Sequence, residues 1–438
     1  MSLGLVLLLA FVLRLGAVVW LPHTVPYSDY LYYHEAGRLT AEDWGLWLDA
    51  ERIRELTKLS WWPPGYPFFL GLVYEIAGPD HRAVVFLQVL IGTVVCALVL
   101  AIGQRAYDRR VGLASALLVA VNPTYIFTTN LIASENLFAL WLSISIWLAL
   151  RPWRGRREPF LLGVVLALAA LTRGVALLLL PLGLLWIRTR TRAADEPVAT
   201  RLAWRPQAAW LLAGFLLLIA PWSVRNALVV GPALVSHGGG VNFYFGHNEG
   251  PVGYRPIAET PMAGLRSVAE IDRRGWELGL RHIARDPLGF VRRGAVKVRE
   301  LFASPAYALN ANTAIQREGG GVRLLGAQTA PADRNAAIAA ARRKATALRG
   351  VWTDRAHSYA RLLQILALIA LVLWRRLTPA LRFIAWLSIG WVAAHVLFWA
   401  QPRFRYPLEI PLALLASFTL VYGFAALHAR IRAARRDA

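Results

Sequence analysis

Long apolar runs alternate with short arginine-bearing connections from one end of this sequence to the other, and that alternation leaves few folds open to it. The runs read as 3–21, 83–103, 111–129, 133–150, 159–172, 174–187, 207–228, 358–374, 381–400 and 406–427. At 1.5 Å per residue, apolar helices of this kind span or nearly span a hydrocarbon core of about 30 Å. With 57% hydrophobic residues and a mean hydropathy of +0.45, the chain exceeds what an ordinary soluble domain carries. The expectation is an all-α polytopic membrane protein with about ten crossings. The first run holds one charge, Arg14, and lacks a small-residue cleavage motif, so it reads as a retained helix. A single cysteine, Cys96, permits no intrachain disulfide and no cysteine-based zinc site.

The net charge of +22 follows the connections. This distribution points to membrane orientation and anionic lipid, not to nucleic acid. The segment 63–78, PPGYPFFLGLVYEIAG, is apolar but short, and it opens with two prolines that can start a helix but not continue one. Reading it as re-entrant or interfacial keeps Arg105, Arg109 and Arg110 on the same side as the later basic connections. That side then holds eighteen of the 48 lysines and arginines and is cytoplasmic by the positive-inside rule, with both termini on it. The opposite short connections carry only Arg82, Arg173, Arg403 and Arg405.

Three regions follow. Residues 1–228 form an N-terminal transmembrane module with a first outer loop (22–62) and the re-entrant segment; 229–357 form an outer loop region; 358–438 form the C-terminal spans and a basic tail. Within the outer region, 286–304 has the mixed apolar and basic pattern of an interfacial amphipathic helix, and 332–349 is an Ala-rich helix. Between them, 317–322 (REGGGV) reads as a flexible tip or gating loop.

The polar clusters gather on the outer side. They are Asp29 in PYSDYLYYHE, the 61–67 turn WWPPGYP, Asn130 and Glu135, Arg173, Arg225 with Asn226, the stretch GGGVNFYFGHNEG from Gly238, and QPRFRYP from Gln401. An acid near hydrocarbon is costly unless solvated, paired or used; on its own stretch, interfacial solvation and function both remain open for Asp29. Polar groups collected at one membrane face suit a lipid-borne substrate with a polar head. A transporter or lipid flippase would instead concentrate them near the midplane.

In order along the chain stand Tyr27-Ser28-Asp29, Pro63-Pro64-Gly65-Tyr66-Pro67, Ser134-Glu135, Leu171-Thr172-Arg173 and Pro221-Trp222-Ser223-Val224-Arg225-Asn226. Gly240-Val241-Asn242-Phe243, Gly246-His247-Asn248 and Arg403-Phe404-Arg405-Tyr406-Pro407 complete the series. Through these motifs nearly the whole chain resembles a bacterial C-type (GT-C) glycosyltransferase of the protein mannosyltransferase and lipid A aminoarabinose transferase group. The resemblance implies sugar transfer, with inversion, from a polyprenyl-phosphate donor to a glycan, lipid or protein acceptor on the outer face of the cytoplasmic membrane. A glycan polymerase or ligase shares the substrate type but not the acid after the first helix.

The resemblance makes Asp29 the general base, since an attacking hydroxyl must lose its proton to a group within hydrogen-bond reach. Relatives often carry Asp-Glu in the first loop; here Tyr30 follows Asp29, leaving Glu35 or His34 to substitute for the second acid. Arg173, Arg403, Arg405 and Lys297 are the candidates to meet the departing lipid phosphate, which arginine can bind bidentately. Alternation along an extended segment would send Arg403 and Arg405 to one face. Tyr27, Tyr66, Glu135, Asn242, Tyr244 and Asn248 are candidates for the sugar and acceptor pocket, although Glu135 also suits a helix N-terminus electrostatically. No histidine–carboxylate cluster has metal spacing, so no metal or cofactor is expected to be obligatory, while use of a divalent cation stays open.

Overall fold

The computed structural model describes residues 2–21, 29–190, 204–303, 308 and 331–423. Among these residues the chain is helical throughout its regular elements: α1 (Leu3–Trp20), α2 (Asp29–Glu42), α3 (Ala50–Glu55), α4 (Gly65–Ala77), α5 (His81–Ala106), α6 (Arg109–Val121), α7 (Pro123–Thr128), α8 (Glu135–Ala149) and α9 (Arg157–Thr172). There follow α10 (Leu179–Arg190), α11 (Trp204–Val229), α12 (Gly239–Gly246), α13 (Val268–Arg285), α14 (Pro287–Leu301), α15 (Pro331–Val372), α16 (Pro379–Leu397) and α17 (Glu409–Phe418). Among the described residues six stretches are long and apolar enough to cross a membrane: Leu3–Trp20, His81–Ala106, Trp204–Val229, Gly350–Val372, Pro379–Leu397 and Pro402–Gly423. The chain is a multi-pass membrane protein. The 13-residue α4 rises only about 20 Å, short of a hydrocarbon core.

Several runs that read as single helices are broken. The run 111–129 divides into α6 and α7 at Asn122, whose side chain caps the second helix by accepting from the Thr124 N–H at 2.9 Å. Pro123 has no N–H to offer the Val119 carbonyl, and Thr124 spends its N–H on the cap and not on the Ala120 carbonyl. Both orphaned carbonyls are taken by the buried Arg14, whose Nη2 donates to Val119 O at 3.1 Å and Nη1 to Ala120 O at 3.2 Å. The one charge in the first apolar run therefore repairs a helix break 105 residues away in sequence. Likewise the run 174–187 opens as a 3-10 turn, Gly174–Leu178, before α10.

Close helix crossings depend on glycine. A Cβ on Gly163 of α9 would lie 2.0 Å from Leu211 O, and one on Gly214 of α11 would lie 2.1 Å from Phe160 O, so each helix seats its glycine on the other's backbone. Gly240 and Gly275 play the same part between α12 and α13, where a Cβ on Gly240 would lie 1.9 Å from Asp272 O. The stretch 238–240 is thus the start of a packed helix, with Gly238 at its N-cap.

The amphipathic segment 286–304 contains α14, capped by Asp286 through the Gly289 N–H at 2.8 Å. The Ala-rich segment belongs to α15, which runs uninterrupted through residue 357, where the sequence had suggested a boundary. The proposed gating loop 317–322 lies outside the described residues.

Candidate functional site

Four elements deliver the polar cluster. Asp29 is the first residue of α2, in the stretch that precedes α4. That stretch is anchored from below: Arg225 near the end of α11 donates to the Trp47 carbonyl and to Asn226 Oδ1 at 2.6 Å, and lies over the Trp222 ring at 4.7 Å. Glu135 is the first residue of α8, where its charge complements the helix N-terminus. Arg173 follows the last turn of α9 in an extended conformation (φ −145°, ψ 115°), so its side chain leaves the helix end sideways. Arg403 sits in a 3-10 turn, Pro402–Leu408, between α16 and α17.

These side chains meet. Arg403 donates from Nη1 to Asp29 Oδ2 at 2.7 Å and from Nε to Glu135 Oε1. Arg173 Nη1 lies 3.0 Å from the same Glu135 oxygen and donates to Ser134 Oγ at 3.1 Å. Ser134 also accepts from the Tyr33 hydroxyl at 3.4 Å, and burial pushes that hydroxyl up to about 12, so it stays a donor at neutral pH. Aromatic rings close the sides, with Tyr30 5.3 Å from the Arg403 guanidinium and Phe404 5.8 Å from that of Arg173. Glu135 is 1% exposed and its Oε2 has no hydrogen-bond partner among the described residues, whereas a third of the Asp29 side chain remains open. Two carboxylates and two guanidiniums sum to no net charge. The cluster thus offers an open acid, a buried acid with a spare oxygen, and two cations beside them.

The sequence candidates divide accordingly. Asp29, Glu135, Arg173 and Arg403 come together; Glu35 and His34 do not join them. Six residues on from Asp29, Glu35 is rotated by about 240° around the helix. It pairs with Arg38 at 3.1 Å, and His34 meets the Tyr74 hydroxyl at 2.8 Å. The second carboxylate comes from Glu135, which is remote in sequence and beyond the reach of helical spacing. Tyr30, standing in the second acid's place, instead lies against the cation that binds both carboxylates.

Arg405 departs from the common face expected for it. The turn is 3-10 and not extended, so the two arginines diverge, and Arg405 is buried with Nε 2.7 Å from Glu409 Oε1. Lys297 is fully buried elsewhere. Its ammonium donates to the Val396 carbonyl at 2.8 Å and lies 2.9 Å from His247 Nε2, beside the C-terminus of α16. Burial, with Arg293 nearby, lowers Lys297 to about 7, and burial lowers His247 to about 4.

Of the expected pocket residues, Tyr66 is completely buried, edge-on to Tyr33 at 5.0 Å with its hydroxyl donating to Gln88 Oε1 at 3.0 Å, so it supports the site from behind. Asn248 spends its amide on the Tyr244 and Phe245 carbonyls at 3.0 and 3.2 Å, closing the end of α12. Tyr244 is buried in the same helix, and Asn242 there is partly exposed. Tyr27 lies outside the described residues. Among the described residues no group of three or more His, Cys, Asp or Glu is placed to hold a metal ion. Tyr30 and Tyr33 belong to the cluster, yet nothing in the linear pattern set them apart from an ordinary aromatic interface, and Ser134 stood out only as the neighbour of Glu135.

Residues 62–224, under half of the chain, match the family model for dolichyl-phosphate-mannose-protein mannosyltransferase. The oligosaccharyltransferase of Archaeoglobus fulgidus, solved with a tethered acceptor peptide, superposes with a TM-score of 0.50 at 13% identity, covering 98% of this chain and 50% of that one. The fold is similar to that of the archaeal oligosaccharyltransferase. ArnT from Cupriavidus metallidurans, solved with undecaprenyl phosphate, aligns at 14% identity and a TM-score of 0.40, covering 96% of this chain and 78% of that one. The chain spans about half the length of the archaeal oligosaccharyltransferase. No curated protein sequence matches it. The matched segment 62–224 contributes Glu135 and Arg173 to the cluster, while Asp29 and Arg403 lie on either side of it.

Proposed function

We propose that the protein transfers a sugar from a polyprenyl-phosphate donor to an acceptor on the outer face of the bacterial cytoplasmic membrane, with inversion and with Asp29 as general base. The observation that carries this reading is the Asp29–Arg403–Glu135–Arg173 cluster, in which an accessible carboxylate stands next to two guanidiniums. The excess of arginine in the opposite connections supports the outer-face assignment and cytoplasmic termini. The similar structures support the substrate class: dolichol-phosphate accompanies the archaeal oligosaccharyltransferase and undecaprenyl phosphate accompanies ArnT.

The reaction follows from the charges. An acceptor hydroxyl oxygen attacks the anomeric carbon as the bond from that carbon to the phosphate oxygen breaks; the electron pair leaves with the phosphate and the hydroxyl proton passes to Asp29. Because the resting cluster is neutral, an arriving phosphate adds an unbalanced negative charge. Arg403 answers it by exchanging Asp29 for a phosphate oxygen, which places a cation where charge grows and frees the base for the acceptor proton. Arg173 stays on Glu135 and supplies the second cation. The spare Glu135 oxygen accepts a hydroxyl of the donor sugar, as a buried acceptor left unpaired is costly.

The test is reconstitution of the purified protein in liposomes with labelled polyprenyl-phosphate sugars and with envelope lipid, glycan and protein fractions. Label should move to an acceptor with the opposite anomeric configuration. Passage of intact donor across the bilayer with no sugar transferred would contradict the proposal.

A further inference from the structure

The residues that fix the Arg403 turn are not those that touch the cluster. Tyr406, three residues after Arg403, donates its hydroxyl to Asn136 Oδ1 at 2.8 Å, and Asn136 directly follows Glu135. Asn136 in turn donates to the Thr128 carbonyl at 3.1 Å. Tyr125 of α7 donates to the Tyr406 carbonyl at 3.0 Å and stacks on its ring at 4.2 Å. A second link joins the same two stretches, with Asn122 Nδ2 donating to Glu409 Oε2 at 3.1 Å.

Three of these bonds run between 122–136, which contains Glu135, and 402–409, which carries Arg403, and the Asn136–Thr128 bond braces the first stretch internally. Asn122, Tyr125, Asn136, Tyr406 and Glu409 are each at most 2% exposed. Apolar packing alone would hold these segments together without defining their register. Directional bonds in a dry interior allow one arrangement and make the others costly, because a slipped partner is left unsatisfied. The network thus sets the distance between an arginine and a glutamate that it does not itself contact.

We propose that Tyr406 and Asn136 are positioning residues that hold the Arg403 guanidinium on Glu135 and Asp29. The kinetic part of this proposal rests on the transferase reading above; the geometric part does not. Tyr406→Phe removes one oxygen and keeps the ring stack on Tyr125. The variant should lose about tenfold or more in kcat, as small misplacements of a reacting group do. In an Arg403→Lys background the same change should have no further kinetic effect, while its lowering of Tm should be equal in both backgrounds. Asn136→Ala repeats the cycle from the other partner. Kinetic losses that simply multiply in both cycles would overturn the proposal. Cryo-electron microscopy of the full-length Tyr406→Phe protein should find Arg403 displaced from Glu135. Retention of both ion pairs would overturn the positioning claim whether or not the wild type transfers sugar. Absence of transfer by the wild type, with Arg403 displaced in the variant, would refute the transferase reading alone.

Discussion

Arg403→Lys is the most informative single substitution in the cluster, because it keeps the charge and removes the fork. Arginine reaches Asp29 through Nη1 and Glu135 through Nε at the same time, with its side chain only 14% exposed. A lysine presents one compact ammonium and can serve one carboxylate well but not both in this geometry. A hydrogen bond to a charged group contributes about 1.5–3 kcal/mol. Losing one such contact where the leaving phosphate must be met therefore lowers kcat by about 10–100-fold. Donor binding should suffer less, because Arg173 remains beside Glu135. The assay is single-turnover transfer in nanodiscs, paired with equilibrium binding of polyprenyl phosphate. A kcat within about twofold of wild type would refute the reasoning that the fork must hold Glu135 while it takes a phosphate oxygen in place of Asp29.

Other substitutions test other parts of the account. Arg14→Leu leaves the Val119 and Ala120 carbonyls unpaired inside the bundle and should cost about 2–4 kcal/mol, read as a lowered Tm in detergent; an unchanged Tm would mean that the α6–α7 break does not need its cap. Lys297 has its pKa lowered on folding from 10.5 to about 7, so between these values the unfolded chain binds the extra proton and stability rises with pH. Thermal unfolding from pH 6.5 to 9 should show that rise in the wild type and a flatter profile in Lys297→Met; equal profiles would contradict the burial argument. His247, lowered from 6.5 to about 4, adds a separate loss as pH falls through that interval, which His247→Gln should abolish. Glu135→Gln keeps the shape but removes the charge between two guanidiniums, so it should reduce transfer while weakening retention of Arg173 and Arg403; undiminished kcat would exclude a role for its free oxygen.

The sequence yields the membrane class directly, because apolar run length is a local property that the bilayer thickness makes decisive. Asp29, Arg173 and Arg403, which the structure brings into one cluster, each stand out in the sequence as charged residues in or beside sparsely charged connections. What stays hidden is pairing. That Glu135 serves as the second carboxylate depends on bringing together positions 106 residues apart, and Arg403 arrives from 268 residues beyond Glu135. Arg405 was misread because the alternation argument assumed an extended segment, whereas Pro402–Leu408 coils as a 3-10 turn that sends its two arginines apart. The role of Gly240 is hidden for a related reason: a glycine needed for a helix crossing looks the same in sequence as one needed for a bend. Arg14 shows the reverse case, in which an apparent anomaly in the first run becomes intelligible only when the proline break in α6–α7 is seen beside it.

The central claim is that Asp29 takes the acceptor's proton, and Asp29→Asn tests it most directly, because the amide preserves shape and can still contact Arg403 but cannot act as the base. In reconstituted protein the account predicts a loss of at least about 10²-fold in the single-turnover transfer rate, with polyprenyl-phosphate sugar still bound. Transfer by Asp29→Asn at a rate near that of the wild type would contradict it.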